Sequence, residues 1–120
     1  MKHILVVDDD HAIVQMLIRA LNTYELSVAH DGAEALELAS HREPDLLITD
    51  YLMPEMTGDE LIARLRAEWP GLKALIITGH GDMLESEAPD WWQREIHLSK
   101  PFRIQALREA VASLLDQPSP

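Results

Sequence analysis

The chain has 120 residues, 47% hydrophobic and 26% charged, with a formal net charge of −11 and no cysteine. That size suits one domain with a single core and no covalent staples, and the missing cysteines fit a reducing cytoplasm. So acidic a surface argues against nucleic-acid binding by this domain, and no apolar run approaches the ~20 residues of a membrane span. In chain order, Met1-Lys2-His3 leads straight into a strand over about residues 3 to 8, so no signal peptide is expected. The following helix places Ile13, Met16, Leu17, Ala20 and Leu21 at i, i+3, i+4, i+7, i+8 spacing. A short second strand at about residues 25 to 30 sets Leu26 and Val28 on one face, as an edge strand does. Asp31 with Glu34 reads as a capping box opening a helix to about Ser40.

Pro44 punctuates before a third strand at about 46 to 50. Pro54 and Gly58 bound the next loop, and a helix from about Gly58 to Glu68 buries Leu61, Ile62 and Leu65 before Pro70-Gly71 ends it. A fourth strand covers about 73 to 78 and a fifth about 96 to 99. A last helix, about 103 to 115, carries Ile104, Leu107, Val111 and Leu114. The domain is expected over residues 1–116, with 117–120 as a linker or disordered tail. Strands alternating with helices imply right-handed crossovers and a parallel sheet. Periodicity therefore predicts an α/β protein but not its strand order.

Four apolar runs end on residues useful to phosphoryl transfer. Ile4–Val7 runs into Asp8-Asp9-Asp10, Leu46–Thr49 into Asp50, Ala74–Ile77 into Thr78, and Ile96–Ser99 into Lys100-Pro101. In an open α/β sheet the ligand site lies beyond the carboxyl ends of the strands, so these groups should meet at one edge. Asp8-Asp9, Asp50 with Met53-Pro54 and Gly58, Thr78, and Lys100-Pro101-Phe102 stand in an order and spacing that resemble the receiver domain of bacterial two-component response regulators. The resemblance covers about residues 2 to 116. It implies a flavodoxin-like doubly wound five-stranded parallel sheet, order 2-1-3-4-5, with helices on both faces.

By that resemblance Asp50 is the phosphoacceptor, taking a phosphoryl group from the phosphohistidine of a sensor histidine kinase or phosphotransfer protein. A carboxylate can form such an acyl phosphate. The chain is then a switch that assists its own phosphorylation and dephosphorylation rather than an enzyme. Two carboxylates ~4 Å apart repel by roughly 4 kcal/mol at an effective dielectric near 20, so Asp8 and Asp9 call for a cation. Mg²⁺, an oxygen-seeking ion, is the expected cofactor. The resemblance adds Asp50 and the backbone carbonyl of Leu52 as ligands, and Asp8 often acts through a bound water. Asp10 is assigned to capping the first helix. Lys100 would ion-pair with Asp50 and neutralise phosphoryl oxygens, and the Lys100-Pro101 bond is a candidate for the cis form.

Thr78 reads either as the hydroxyl that meets the phosphoryl group or as an ordinary strand residue. Gly79 stands where the family more usually has Ala. His97 reads either as a switch residue following Thr78 or as a strand histidine with one hydrogen bond. By the same resemblance Leu52 and His80 would flank the path of a hydrolytic water, and Leu52 offers it no hydrogen bond, which predicts slow self-dephosphorylation. Two rivals remain open. One is a small Mg²⁺-dependent aspartyl phosphatase of the haloacid-dehalogenase type, although the first strand lacks that group's DxD nucleophile arrangement. The other is a receiver-like interaction module that takes no phosphate.

The segment Asp82 to Glu95 departs most from the family, which places one long helix there. Pro89 opposes a continuous helix by ~3 kcal/mol, whereas burying one Trp is worth roughly 4–6 kcal/mol at most. The expectation is a helix shortened or broken near Ala88-Pro89 with Trp91 or Trp92 in the core. Either the other Trp forms an exposed patch, or both fill the space of the lost helix. A homodimer through the fourth helix, fifth strand and fifth helix is the matching partner expectation. The kinase and the output are not legible, and the chain reads as a stand-alone receiver or as part of a longer protein.

Overall fold

Five apolar runs become five parallel strands: β1 (His3–Val7), β2 (Glu25–Ala29), β3 (Leu46–Asp50), β4 (Lys73–Thr78) and β5 (Ile96–Ser99). Between and after them lie α1 (His11–Ala20), α2 (Gly32–His41), α3 (Gly58–Glu68), α4 (Gly81–Glu87) and α5 (Ile104–Asp116). This computed structural model describes residues 1–79, 81–87 and 89–116, and their side chains except that of Asp82. The expected tail at 117–120, and the readings that rest on His80 and Ala88, lie outside the described residues.

The sheet order is β2-β1-β3-β4-β5, as the resemblance implies. β1, β3 and β4 are buried along nearly their whole length, which is why they read as continuous apolar runs rather than alternating ones. Alternate residues feed two cores. Leu5, Val7, Leu47 and Ile76 face α2, α3 and Leu84 of α4, whereas Ile4, Val6, Ile48, Leu75 and Ile77 face α1 and α5. β2 is a half-buried edge strand whose Leu26 and Val28 pair with Ile4 and Val6.

Caps explain the helix starts. Asp10 accepts from the N–H groups of Ala12 and Ile13, so it opens α1 as expected. Asp31 accepts from Glu34 N–H at 2.8 Å, but the Glu34 carboxylate meets His30 Nδ1 at 3.3 Å instead of closing the expected box. The reciprocal box lies at α3, where Glu60 accepts from both the N–H and the hydroxyl of Thr57. The buried face of α1 is centred on Val14, Leu17 and Ala20, leaving Ile13 and Met16 half-buried.

The unusual segment behaves largely as the proline argument requires. α4 is described over Gly81–Glu87, Pro89 is no longer helical, and a turn follows in which Trp92 N–H donates to Pro89 O and Glu95 N–H to Trp91 O. Trp91 is 2% exposed, inside the core under α3 and α4. The exposed-tryptophan patch is corrected: Trp92 is half-buried because the His97 ring stacks on it, centroids 3.7 Å apart. The turn is anchored by Glu95, buried and 2.6 Å from Arg66 Nη1 of α3, whose Nε also donates to Leu72 O.

Candidate functional site

The carboxyl ends of β1, β3, β4 and β5 converge, and with them the residues singled out from the sequence. Asp8 follows β1 directly. It is buried, and its carboxylate accepts from Asp10 N–H at 2.9 Å while its own N–H donates to Ala29 O. Asp9 is exposed, and Asp50 ends β3 with only a small part of its side chain open to solvent. Carboxylate oxygens of Asp8, Asp9 and Asp50 all lie within 4.8 Å of one another. Lys100 Nζ stands 3.6 Å from Asp50 Oδ1 and 3.7 Å from Asp8 Oδ2.

Burial, followed by the neighbouring Asp8 charge, pushes the Asp50 carboxyl up to about 6 despite Lys100 and the Tyr51 N–H, which favour its ionised form. Asp8 is likewise raised, chiefly by burial. One lysine therefore does not balance three crowded carboxylates. Hard oxygen donors at this spacing, two of them short of positive charge, fit a divalent cation such as Mg²⁺.

Thr78 closes β4, fully buried, one position beyond the Asp50–Ile77 pair. Its carbonyl accepts the Lys100 N–H at 2.7 Å, so the backbones of these two residues are tied, and the Lys100–Pro101 peptide is cis. Leu52 lies in the loop just past Asp50 and is 45% exposed. His97, three residues before Lys100, faces away from the carboxylates and into the Trp91–Trp92 pair; a ring nitrogen bonds Trp92 O at 3.1 Å.

Two glycines have different status. A Cβ at Gly58 would stand 2.5 Å from Asp50 O, so only glycine lets the first turn of α3 pass this close, where its N–H donates to Tyr51 O at 2.7 Å. A Cβ at Gly79 would meet no described residue within 4 Å apart from its chain neighbours, so Ala would fit there as well as Gly. Sequence reasoning missed Tyr51, whose N–H donates to Asp50 Oδ1 at 3.0 Å and whose ring lies 4.9 Å from that of Trp91. Its only signal was an aromatic residue beside Asp50.

Comparison with known proteins agrees with this geometry. A family model described as the response regulator receiver domain matches residues 4–112. The response regulator MprA of Mycobacterium avium (strain 104) is 36% identical over 119 residues, covering 98% of this chain and 52% of that protein. The chain thus spans about half the length of the curated relatives it matches. Among solved structures, the signal receiver domain of an HD domain-containing protein from Pseudomonas fluorescens Pf-5 superposes with TM-score 0.85 at 35% identity, covering 96% of this chain and 94% of that one. A CheY-like receiver domain protein from Methanospirillum hungatei JF-1 gives TM-score 0.80 at 28% identity, covering 97% and 94%.

Proposed function

The chain belongs to the response regulator receiver domain family, and from that premise we propose that Asp50 is its phosphoacceptor. The observation that carries the reading is the placement of Asp50 at a strand end, against Lys100 and within 4.8 Å of Asp8 and Asp9 oxygens. As a receiver domain the chain serves phosphorelay signalling, and neither the phosphatase nor the silent-module reading is favoured. The partner would be a sensor histidine kinase or phosphotransfer protein, and the compartment the cytoplasm. Among the described residues no helix is long and apolar enough to cross a membrane.

In the proposed step an Asp50 carboxylate oxygen attacks the phosphorus of a phosphohistidine. The new P–O bond forms as the P–N bond breaks, its electrons return to the imidazole nitrogen, and that nitrogen takes up a proton. Asp8, Asp9, Asp50 and the Leu52 carbonyl would hold Mg²⁺, which supplies charge compensation for the phosphoryl oxygens and keeps Asp50 ionised near neutral pH. Lys100 adds a second positive charge, and Thr78 offers its hydroxyl to a phosphoryl oxygen. Intact-mass measurement after acetyl phosphate treatment tests this. One phosphate should add with Mg²⁺ present and none with Mg²⁺ removed, and Asp50→Asn should take none. An Asp50→Asn protein that gains the same mass refutes the assignment.

A further inference from the structure

Trp91 belongs to the segment that replaces part of the usual fourth helix, yet it touches the residue next to Asp50. Tyr51 is attached at both ends. Its N–H donates to Asp50 Oδ1 and to Ile77 O, each at 3.0 Å, and its ring packs on Trp91. The Trp91 ring in turn meets Trp92 edge-on at 5.6 Å and His97 edge-on at 6.1 Å. Trp92 and His97 stack and share the ring-to-carbonyl hydrogen bond. Contacts thus run from Asp50 through the Tyr51 N–H, and then from ring to ring between Tyr51 and the middle of β5, without passing through Thr78.

We propose that Trp91, through Tyr51, transmits the phosphorylation state of Asp50 to the Trp92–His97 stack on β5. This rests on the reading of Asp50 as phosphoacceptor. Ionised Asp50 gives Tyr51 N–H a charged acceptor, and such bonds are about twice as strong as neutral ones. Once Asp50 carries the phosphoryl group as an acyl phosphate, the carboxylate charge is gone and Lys100 follows the charge to the phosphoryl oxygens. One of the two bonds made by Tyr51 N–H weakens while that to Ile77 O remains, and the Tyr51 ring shifts against Trp91. Interiors packed like organic crystals pass such a displacement on. Trp91 is buried, and its indole N–H has no hydrogen-bond partner among the described residues. The ring is therefore seated by shape alone, and it can turn without breaking a hydrogen bond. Coupling of this kind is reciprocal, so a partner that fixes the Trp92–His97 stack also changes how readily Asp50 holds phosphate.

The test is the His97 Cε1–H NMR signal in Mg²⁺, before and after acetyl phosphate, with phosphate occupancy read by intact mass on the same samples. The stacked indole makes that signal sensitive to small ring movements. Wild type, Trp91→Phe, Trp91→Leu and Tyr51→Leu are compared at equal occupancy, with signal dispersion confirming the fold of each. Phosphorylation should shift the wild-type signal. The shift should fall at least threefold in Trp91→Leu and Tyr51→Leu, whereas Trp91→Phe, which keeps a ring, should retain more than half. An undiminished shift in both leucine variants, or an unshifted signal in phosphorylated wild type, overturns the route alone. Failure of wild type to take any phosphate overturns the phosphoacceptor reading and the route with it.

Discussion

Replacing Gly58 with alanine puts a methyl group 2.5 Å from the Asp50 carbonyl oxygen, where ordinary contact begins at 3.4 Å. The two must part by about 0.9 Å. Neither side yields cheaply. Gly58 N–H is bonded to Tyr51 O at 2.7 Å, and Asp50 O also accepts the Thr49 hydroxyl at 2.9 Å. Overpacking of this kind costs about 1–3 kcal/mol, and a reacting group misplaced by ~1 Å loses ~100-fold in rate. Gly58→Ala should therefore unfold about 1–3 kcal/mol more easily in urea and take phosphate from acetyl phosphate roughly 10- to 100-fold more slowly. Gly79→Ala is the control, because among the described residues nothing but its chain neighbours lies within 4 Å of the added carbon. Its stability should stay within about 0.5 kcal/mol of wild type, with a nearly unchanged rate. A Gly58→Ala protein that matches wild type in both measurements, or a Gly79→Ala protein equally impaired, refutes the steric argument.

Asp50 binds its proton more tightly folded (about 6) than at its usual 3.8, so without Mg²⁺ its contribution to stability falls as pH rises from about 4 to about 6. Asp50→Asn should remove that penalty, adding about 1–3 kcal/mol at pH 8 and almost nothing at pH 4; equal gains at both pH values in denaturant titrations would contradict the sign. Leu52→Asn should accelerate phosphate loss after the donor is removed, since the amide can hold a water that leucine cannot; an equal or slower decay would count against it. Among the described residues, Arg66→Ala leaves the buried Glu95 carboxylate with the exposed Arg94 at 3.3 Å as its remaining ion pair. It should lower stability by about 2–3 kcal/mol, below the usual toll of breaking a fully buried pair because Arg66 itself is partly exposed; a change within experimental error would mean that Arg94 alone compensates.

The site was more legible than its surroundings. Asp8, Asp9, Asp50, Thr78 and Lys100 stand at the ends of apolar runs, and a parallel sheet necessarily brings such ends together. Strand order came from the resemblance, because periodicity carries no information about which strands are neighbours. Capping was half legible: Asp31 caps α2, but the partner of Glu34 is His30, one residue outside the assumed box. The Thr57–Glu60 box escaped notice because the Pro54–Gly58 loop around it reads as irregular. Pro89 predicted the short α4 through its missing N–H. Nothing local could show that His97 would cover Trp92, since that stack joins a turn to a strand only after folding. The Tyr51–Trp91 contact was hidden for the same reason, the two rings lying forty positions apart along the chain.

The most direct test of the phosphoacceptor assignment locates the phosphate itself. Protein treated with acetyl phosphate and Mg²⁺ is reduced with borohydride, which converts an aspartyl phosphate to homoserine, and the peptides are sequenced by mass spectrometry. The account predicts homoserine at position 50, with Asp8, Asp9 and Asp10 intact. Homoserine at any of those three with Asp50 unmodified, or phosphate recovered on a serine, threonine or histidine, would contradict it.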